Sequence, residues 1–389
     1  MLNTAFEPWP SFTQEEADAV SQVLLSNKVN YWTGQECREF EKEFAAFADT
    51  EYAVALANGT VALDIALKAL GIGAGDDVIV TSRTFLASAS SIVTAGANPV
   101  FADVELDSQN ISRRTIEAVL TPNTKAVICV HLAGWMCDMD PIMQLAEEKG
   151  LYVIEDCAQA HGAKYKGKAA GSIGHIGAWS FCQDKIMTTG GEGGIVTTND
   201  ELLWKKMWSY KDHGKNFDSI YNKQHPPGFR WLHDSFGTNW RMMEMQAVIG
   251  RIQLKRMEAW TRARSENMQR IYKAFENTPY VTVYQPAEDY VHAAYKCYVQ
   301  VNIEALPEGW SRDRIMNEIA ALGVPCFSGS CSEVYLEHAF DHTPWRPAER
   351  LKNAQRMGEA SLMFLVHPTL SSESMNKTVE AIQQVLSKI

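Results

Sequence analysis

The sequence predicts an α/β protein with a large domain, built on a mostly parallel sheet flanked by helices, and a smaller α+β C-terminal domain. Short apolar runs alternate with helical patterns through the first two-thirds of the chain. Those runs are continuous, as in strands buried on both faces. The length of 389 residues exceeds what one ordinary core supports, so two domains are expected.

The predicted strands of the first domain are short and rich in Val, Ile and Ala. In chain order they are 51–56, 77–80, 99–104, 125–130, 151–155 and 195–198. Helices are predicted between them, over 60–70 and 86–95 and from Asp140-Pro141, an N-cap residue followed by proline. Ligands bind beyond the carboxyl ends of parallel strands, so the residues after each strand are the functional candidates.

The C-terminal third has a different pattern. A helical stretch over 242–276 is predicted to lead into the small domain, which divides the chain into 1–250 and 251–389. The small domain has a predicted strand over 294–301 and helices near 311–322 and 373–388. An N-terminal arm, about residues 1–35, is expected to pack on it. The polar, aromatic segment 215–238 is predicted to be a long functional loop.

The composition argues against several classes of protein. The chain has 36 basic and 47 acidic residues, a net charge of −11, which argues against a nucleic-acid or anionic-membrane partner. No apolar run is long enough to span a bilayer, and the first eight residues lack a signal-peptide pattern. The eight cysteines form no CxxC pair, so reduced, buried thiols in a cytoplasmic protein are expected, without disulfides or a metal site.

Lys185 lies between Ser180 and the glycine-dense turn 190–194. A lysine becomes a nucleophile when its surroundings depress its pKa, and its best-known covalent partner is an aldehyde cofactor. Most lysines are solvated surface charges, so this interpretation depends on the neighbouring groups. The Ser180 hydroxyl can bind a phosphate while the amine condenses with the aldehyde, and the glycines allow a tight reversal into the next strand.

Two other strand ends supply matching groups. The turn 58–60 opens a helix, where free N–H groups and the helix dipole favour a phosphate, although an ordinary strand–turn–helix junction has the same pattern. Asp156 follows the fifth strand and is placed to hold the protonated ring nitrogen of pyridoxal phosphate, with a helix N-cap as the alternative. Gln159 is within reach of the ring's phenolic oxygen. The glycine runs do not form a dinucleotide loop, so a nicotinamide site is not favoured.

The chain resembles the DegT/DnrJ/EryC1/StrS sugar aminotransferases over nearly its whole length. The segments that carry the resemblance are 58–63, Thr84-Phe85, 155–162, Ser180-Phe181 with Lys185, 188–194 and 237–242. The resemblance implies a pyridoxal 5′-phosphate enzyme with the aspartate aminotransferase fold (fold type I), whose large domain has a seven-stranded sheet.

The resemblance also implies a role for each site residue. Lys185 is the Schiff-base lysine and proton shuttle, Asp156 the partner of the pyridine nitrogen, and Gln159 the contact to the phenolic oxygen. The phosphate is held by Gly59, Thr60 and Ser180, and the ring stacks on Phe85. Asn239 reaches the phosphate in the neighbouring subunit of a homodimer that shares its active sites. His161 and Arg241 match family positions too, with packing or turn stabilisation as the alternative.

The implied reaction passes an amino group from L-glutamate, through pyridoxamine 5′-phosphate, to a nucleotide-linked keto sugar. C4 of a 4-keto-6-deoxy hexose is the expected acceptor, and C3 of a 3-keto sugar stays open because it uses the same cofactor residues. A family branch with histidine in place of the lysine performs 3-deoxygenation, so Lys185 favours amino transfer. Segment 326–333 departs from the family's usual sugar-facing sequence. A non-catalytic subunit and a Rossmann oxidoreductase are the alternatives from other classes.

Overall fold

The computed structural model describes residues 6–389, so the first five residues of the predicted N-terminal arm lie outside the described range. Its helices are α1 (Gln14–Leu25), α2 (Glu36–Phe47), α3 (Gly59–Ala69), α4 (Ala87–Thr94), α5 (Arg113–Glu117), α6 (Met139–Lys149), α7 (Glu201–Lys211), α8 (Phe217–Tyr221), α9 (Glu244–Leu254), α10 (Met257–Ala274), α11 (Arg312–Ala321), α12 (Lys352–Ala360) and α13 (Ser372–Leu386).

Its strands are β1 (Tyr52–Leu56), β2 (Asp77–Thr81), β3 (Asn98–Ala102), β4 (Thr124–Val130), β5 (Tyr152–Asp156), β6 (Lys164–Tyr165), β7 (Lys168–Ala169), β8 (Ile176–Ser180), β9 (Gly194–Thr198), β10 (Val281–Thr282), β11 (Tyr290–Val291), β12 (Cys297–Val301), β13 (Cys326–Phe327) and β14 (Ser361–Phe364).

A seven-stranded sheet in the order β1-β9-β8-β5-β4-β2-β3 organises the first part of the chain. Strands β3, β2, β4, β5 and β8 are parallel, and β9 is antiparallel to both of its neighbours, β8 and β1. Strand β1 therefore points the same way as the parallel strands, and its carboxyl end reaches the same edge of the sheet. The predicted α/β fold with a large, mostly parallel, helix-flanked sheet is confirmed.

Both faces of this sheet are buried, which explains the continuous apolar runs. Val54 and Leu56 of β1 enter a core that also contains Leu63 of α3. Ala53 and Ala55, on the other face, enter a second core with α2 and α6. Successive side chains of a strand point to opposite faces of the sheet. A strand covered on both faces is therefore apolar at successive positions and does not alternate between apolar and polar residues.

A four-stranded antiparallel sheet, β10-β12-β14-β13, organises the C-terminal part together with α10, α11 and α13. The described part of the N-terminal arm contacts this unit. Phe6 packs against its core, and the Ser374 hydroxyl donates a hydrogen bond to Glu7 over 2.7 Å. The Trp9 ring meets the Trp260 ring edge to face, with centroids 5.2 Å apart. The division of the chain at residue 250 stays a prediction.

Three local predictions are corrected by the structure. The helical stretch predicted over 242–276 is two helices, because the chain turns at Lys255 and Arg256 between the packing of α9 on α1 and of α10 on α13. The predicted loop 215–238 contains α8, which begins where Asn216 Oδ1 accepts a hydrogen bond from the Ser219 N–H over 2.8 Å. All eight cysteines are free, but Cys331 is exposed and Cys182 is half-buried, contrary to the expected burial.

Within residues 6–389, none of the helices is both long and apolar enough to cross a membrane.

Candidate active site

A cavity of about 570 Å³ opens at the carboxyl edge of the seven-stranded sheet. It brings together residues that are up to 134 positions apart in the chain, because β1, β2, β5 and β8 all end at this edge. The predicted site residues that line it are Gly59, Thr60, Phe85, Asp156, Gln159, Ser180 and Lys185. Asn239 is not among its lining residues.

The N-terminus of α3 and Ser180 form one end of the cavity. Asn58 caps the helix, its side-chain oxygen accepting a hydrogen bond from the Val61 N–H over 3.0 Å. A Cβ at position 59 would lie 2.5 Å from the Ser180 Cβ and 2.8 Å from its Oγ, so only glycine permits this close approach. The result is a cup of free N–H groups and hydroxyls at a helix N-terminus, the geometry that binds a phosphate.

Asp156 lines the cavity and is 6% exposed. Its carboxylate accepts hydrogen bonds from the Ser88 hydroxyl over 2.8 Å and from the Ala158 N–H over 3.2 Å. It has no salt bridge within the described residues. Burial raises its pKa above the ordinary value, and the Ser88 hydrogen bond is the largest opposing effect. A protonated ring nitrogen would supply the missing cation.

The orientation of the Gln159 side chain is fixed by the backbone. Its Oε1 accepts a hydrogen bond from the Ala133 N–H over 2.7 Å, and Ala133 itself has a positive φ of 56°. Since the oxygen is engaged, the amide nitrogen is left as a donor at the cavity. A donor at this position suits the phenolic oxygen of the expected ring.

Lys185 reaches the cavity with 18% of its side chain exposed. Its Nζ lies 3.8 Å from Asp184 Oδ1 and 5.4 Å from the centre of the Tyr295 ring. The Tyr295 hydroxyl donates a hydrogen bond to Asp184 over 2.6 Å. The backbone carbonyl of Lys185 accepts a hydrogen bond from the Trp9 indole over 2.8 Å, so the N-terminal arm helps to hold the lysine.

The glycine turn after Lys185 allows close packing of the backbone as well as the reversal of chain direction. Gly190 and Gly191 have φ values of 85° and 119°, which side-chain-bearing residues rarely adopt. A Cβ at Gly194 would lie 2.2 Å from the Asn58 carbonyl oxygen. The turn therefore sets β9 directly against the loop that holds the phosphate cup.

Phe85 and Asn239 are placed differently from the buried residues. Phe85 lines the cavity but is 71% exposed, so its ring is available to stack on a planar ligand. Asn239 is exposed and pairs through its backbone with Asp212, outside the cavity of its own chain. Its predicted role toward a neighbouring subunit stays a prediction.

His161 and Arg241 make structural contacts. The His161 ring packs against Phe44, Trp179 and Phe181, and burial lowers its pKa to about 3. Arg241 donates a hydrogen bond to Asp212 over 2.7 Å in an ion pair with that buried carboxylate. Neither residue lines the cavity, which supports the packing and turn-stabilising alternatives.

Three groups that support the site were not singled out by the sequence. Ser88 donates its proton to Asp156, so the 2.8 Å contact with Thr84 must be a hydrogen bond that Thr84 donates to Ser88. Ala133 orients Gln159, and Tyr295 holds Asp184. Ser88 sits in a helix of small residues, and Ala133 acts through its backbone, so no local motif marks either one.

A buried group of possible ligand atoms lies beneath the site. Single atoms of His131, Glu155 and Cys157 lie within 4.8 Å of one another. The Glu155 carboxylate, however, already accepts hydrogen bonds from the N–H groups of Gly171 and Gly174 and contacts the His131 ring over 2.8 Å. These contacts anchor the end of β5, and hence the backbone that carries Asp156.

The cavity fits pyridoxal phosphate on the evidence of its donor set. The cup at Gly59 suits the phosphate, the unpaired buried carboxylate of Asp156 suits the ring nitrogen, and the oriented amide of Gln159 suits the phenolic oxygen. An amine, Lys185, completes the set. The fold and this site define the class of fold type I pyridoxal-phosphate aminotransferases.

Comparison with known proteins specifies the family. The profile of the DegT/DnrJ/EryC1/StrS aminotransferase family matches residues 10–383. The chain therefore belongs to this family, which implies pyridoxal phosphate as its cofactor. The predicted family and the predicted enzyme class, a nucleotide-sugar transaminase, are confirmed.

Similar proteins cover the whole chain. A GDP-perosamine synthase of Caulobacter vibrioides is 36% identical over 97% of both chains. A dTDP-3-amino-3,4,6-trideoxy-α-D-glucose transaminase of Streptomyces venezuelae is 30% identical over 100% of this chain and 96% of the relative. The crystal structure of an aminotransferase from Psychrobacter cryohalolentis is 65% identical, covers 99% of both chains and superposes with a TM-score of 0.98.

Proposed function

We propose that this enzyme moves the amino group of L-glutamate to C4 of a 4-keto-6-deoxy nucleotide hexose, with pyridoxal phosphate held in the cavity by the residues named above. The observation that carries the proposal is the convergence of Lys185, Asp156, Gln159 and Ser180 on one cavity. Two of the relatives are named for reactions that make amino sugars or their nucleotide derivatives, which supports a nucleotide sugar as the acceptor.

When bound, the cofactor supplies an electron sink for the carbon next to the transferred nitrogen. Asp156 would face the ring nitrogen, and Ser88 and Ala158 fix the direction of its carboxylate. Gln159 would donate a hydrogen bond to the phenolic oxygen, and the α3 N-terminus with Ser180 would hold the phosphate. Together these residues would hold the cofactor in the cavity that Lys185 also lines.

Lys185 Nζ is the group that moves protons. Asp184, held by Tyr295 and 3.8 Å from Nζ, limits the positions of the free amine. An amine so placed can take a proton from one carbon and return it to another, the general acid/base task that amino transfer requires. Asn239 of a second subunit is proposed to complete the phosphate cup, which makes a homodimer part of the site.

The proposed role of Lys185 is tested by Lys185→Ala. The variant is expected to lose the coloured, borohydride-reducible adduct and to lose turnover with glutamate. Lys255→Ala, which changes a lysine in the turn between α9 and α10, is the matched control. A Lys185→Ala variant that kept both the adduct and full turnover would contradict the assignment.

Amination at C3 is the competing acceptor position. The name of the Streptomyces venezuelae relative specifies a 3-amino sugar, which is the observation that favours it. The cofactor residues are the same for both positions, so product analysis with purified 3-keto and 4-keto substrates decides between them.

A further inference from the structure

A second cavity, of about 240 Å³, meets the catalytic cavity at Asp184, which lines both. Its walls come from the N-terminal arm, from α10 and from the segments beside β12 and β14. Three of its lining residues, Arg264, Lys296 and His367, have basic side chains.

Arg264 is a buried cation without an anion. It is 1% exposed, and its Nη1 makes only long contacts of 3.5 and 3.4 Å with the carbonyl oxygens of Ala294 and Tyr295. Its Nε and Nη2 have no hydrogen-bond partner among the described residues. The guanidinium lies 4.8 Å from the centre of the Trp9 ring. Burying a charge in this way is costly unless something of opposite charge comes near it.

Lys296 adds a second positive charge to the same cavity. It forms no salt bridge among the described residues, and its Nζ lies 4.8 Å from the centre of the Tyr295 ring. Its pKa is lowered to about 8, chiefly by burial; Asp184 opposes this effect, and the charges of Arg264 and Lys185 add to it. An anion placed between these cations would relieve their repulsion.

The acidic groups at this cavity are already engaged. Asp184 accepts the Tyr295 hydrogen bond and faces Lys185, and Glu7 accepts the Ser374 hydrogen bond. His367 is neutral at physiological pH, because burial first and then Arg264 lower its pKa to about 3. Neither carboxylate forms a salt bridge with Arg264 or Lys296, so both cations lack an ion-pair partner among the described residues.

We propose that this second cavity binds a carboxylate of the amino donor, with Lys296 as the contacting cation and Arg264 as the positive charge beneath it. The amines of Lys185 and Lys296 lie 5.4 and 4.8 Å from the centre of the same Tyr295 ring, so both cations are arranged around one side chain. A donor whose amine lies in the catalytic cavity can then place its carboxylate in the second cavity, on the other side of Asp184. The inference rests on the proposed function, since it gives the proposed glutamate donor its binding site.

Glutarate, a dicarboxylate that has no amine and cannot react, is the probe. Its affinity for the cofactor-loaded enzyme is measured by calorimetry in the wild type, in Lys296→Met and Lys296→Arg, and in the control Lys273→Met, which changes an exposed lysine of α10. Loss of a buried charge partner predicts at least about tenfold weaker binding in Lys296→Met. Lys296→Arg keeps the charge and should retain most of the affinity, and Lys273→Met should match the wild type.

The pH dependence in the wild type tests the same site without any variant. Because only the protonated amine attracts the anion, glutarate affinity should fall as the pH rises through about 8, the lowered pKa of Lys296. Lys296→Arg, whose guanidinium stays charged, should not show this fall. A flat profile in the wild type would contradict the assignment of Lys296.

The half-reaction with L-glutamate separates this inference from the proposed function. Lys296→Met should need a higher glutamate concentration for half-maximal conversion of the cofactor, with an unchanged absorbance spectrum before glutamate is added. If the wild type takes no amino group from glutamate, the proposed function is wrong. If it does so normally and Lys296→Met binds glutarate as tightly as the wild type, only the carboxylate site is wrong.

Discussion

Ser88 is the residue outside the predicted set whose removal should affect the cofactor most. Its hydroxyl donates a 2.8 Å hydrogen bond to the Asp156 carboxylate, and both groups are buried. Ser88→Ala removes this donor and leaves the carboxylate with the Ala158 N–H as its remaining hydrogen-bond partner among the described residues. Because that hydrogen bond opposes the effect of burial, the pKa of Asp156 should rise further in the variant.

The size of the effect follows from the charge on the acceptor. Hydrogen bonds to ionised groups contribute about 1.5–3 kcal/mol, and about 1.4 kcal/mol is a factor of ten in affinity. Ser88→Ala should therefore bind pyridoxal phosphate up to about 10- to 100-fold more weakly at a pH where the raised pKa leaves Asp156 protonated, since only ionised Asp156 pairs with the protonated ring nitrogen. Titration of the cofactor-free protein with pyridoxal phosphate, followed by visible absorbance, measures this affinity.

Two controls separate positioning from a loss of packing. Ser90→Ala changes a serine two residues further along α4 that makes no contact with Asp156, and it should bind the cofactor normally. Ser88→Thr keeps the hydroxyl and should restore most of the affinity. The pH at which the bound cofactor changes colour should move in Ser88→Ala alone. If Ser88→Ala shows wild-type affinity and a wild-type pH profile, the reasoning about Asp156 is refuted.

Two further predictions concern residues outside the cavity. The pKa of His161 is lowered from 6.5 to about 3 in the folded protein. Between these values the unfolded state binds a proton at this residue and the folded state does not. The free energy of unfolding should therefore fall by about 2 kcal/mol as the pH drops from 6.5 to 5. His161→Phe should lose that part of the pH dependence in urea denaturation, and an equal fall in both proteins would contradict burial of a neutral ring. The variants Asn239→Ala and Lys185→Ala are each expected to be inactive alone. When the two variants exchange subunits, about a quarter of the wild-type activity should return, because one site of each mixed dimer is intact. No recovery after verified exchange would place Asn239 outside a shared site.

The sequence predicts the sheet well because its signal is local. The run 126–130 is apolar at every position, as in a strand buried on both faces, and the structure has β4 there. The same locality explains why the candidate residues at the ends of β1 and β5 were singled out, since each directly follows a predicted strand. The order of the strands in the sheet does not follow from such local patterns. Strand β9 lies antiparallel between β1 and β8, and nothing in Gly194–Thr198 specifies those partners.

The remaining features depend on tertiary contacts. The strand Ile176–Ser180 was not predicted, because Gly177 and Ala178 are weak strand formers and gain their place by packing against Thr197 and Val196. The partner of Gln159 is the backbone of Ala133, 26 residues earlier, which no side-chain pattern records. The second cavity joins the arm, α10 and two distant segments, so the meeting of Arg264 and Lys296 is visible only in the folded chain.

The central claim is that this cavity transfers an amino group from glutamate to a keto-sugar nucleotide. Its most direct test is incubation of the cofactor-loaded enzyme with isotopically amine-labelled L-glutamate and a panel of 3-keto and 4-keto nucleotide sugars, with the products analysed by mass spectrometry and NMR. The account predicts labelled nitrogen on C4 of a 4-keto-6-deoxy sugar together with 2-oxoglutarate. Formation of 2-oxoglutarate without label in any sugar of the panel, or no reaction of glutamate at all, would contradict it.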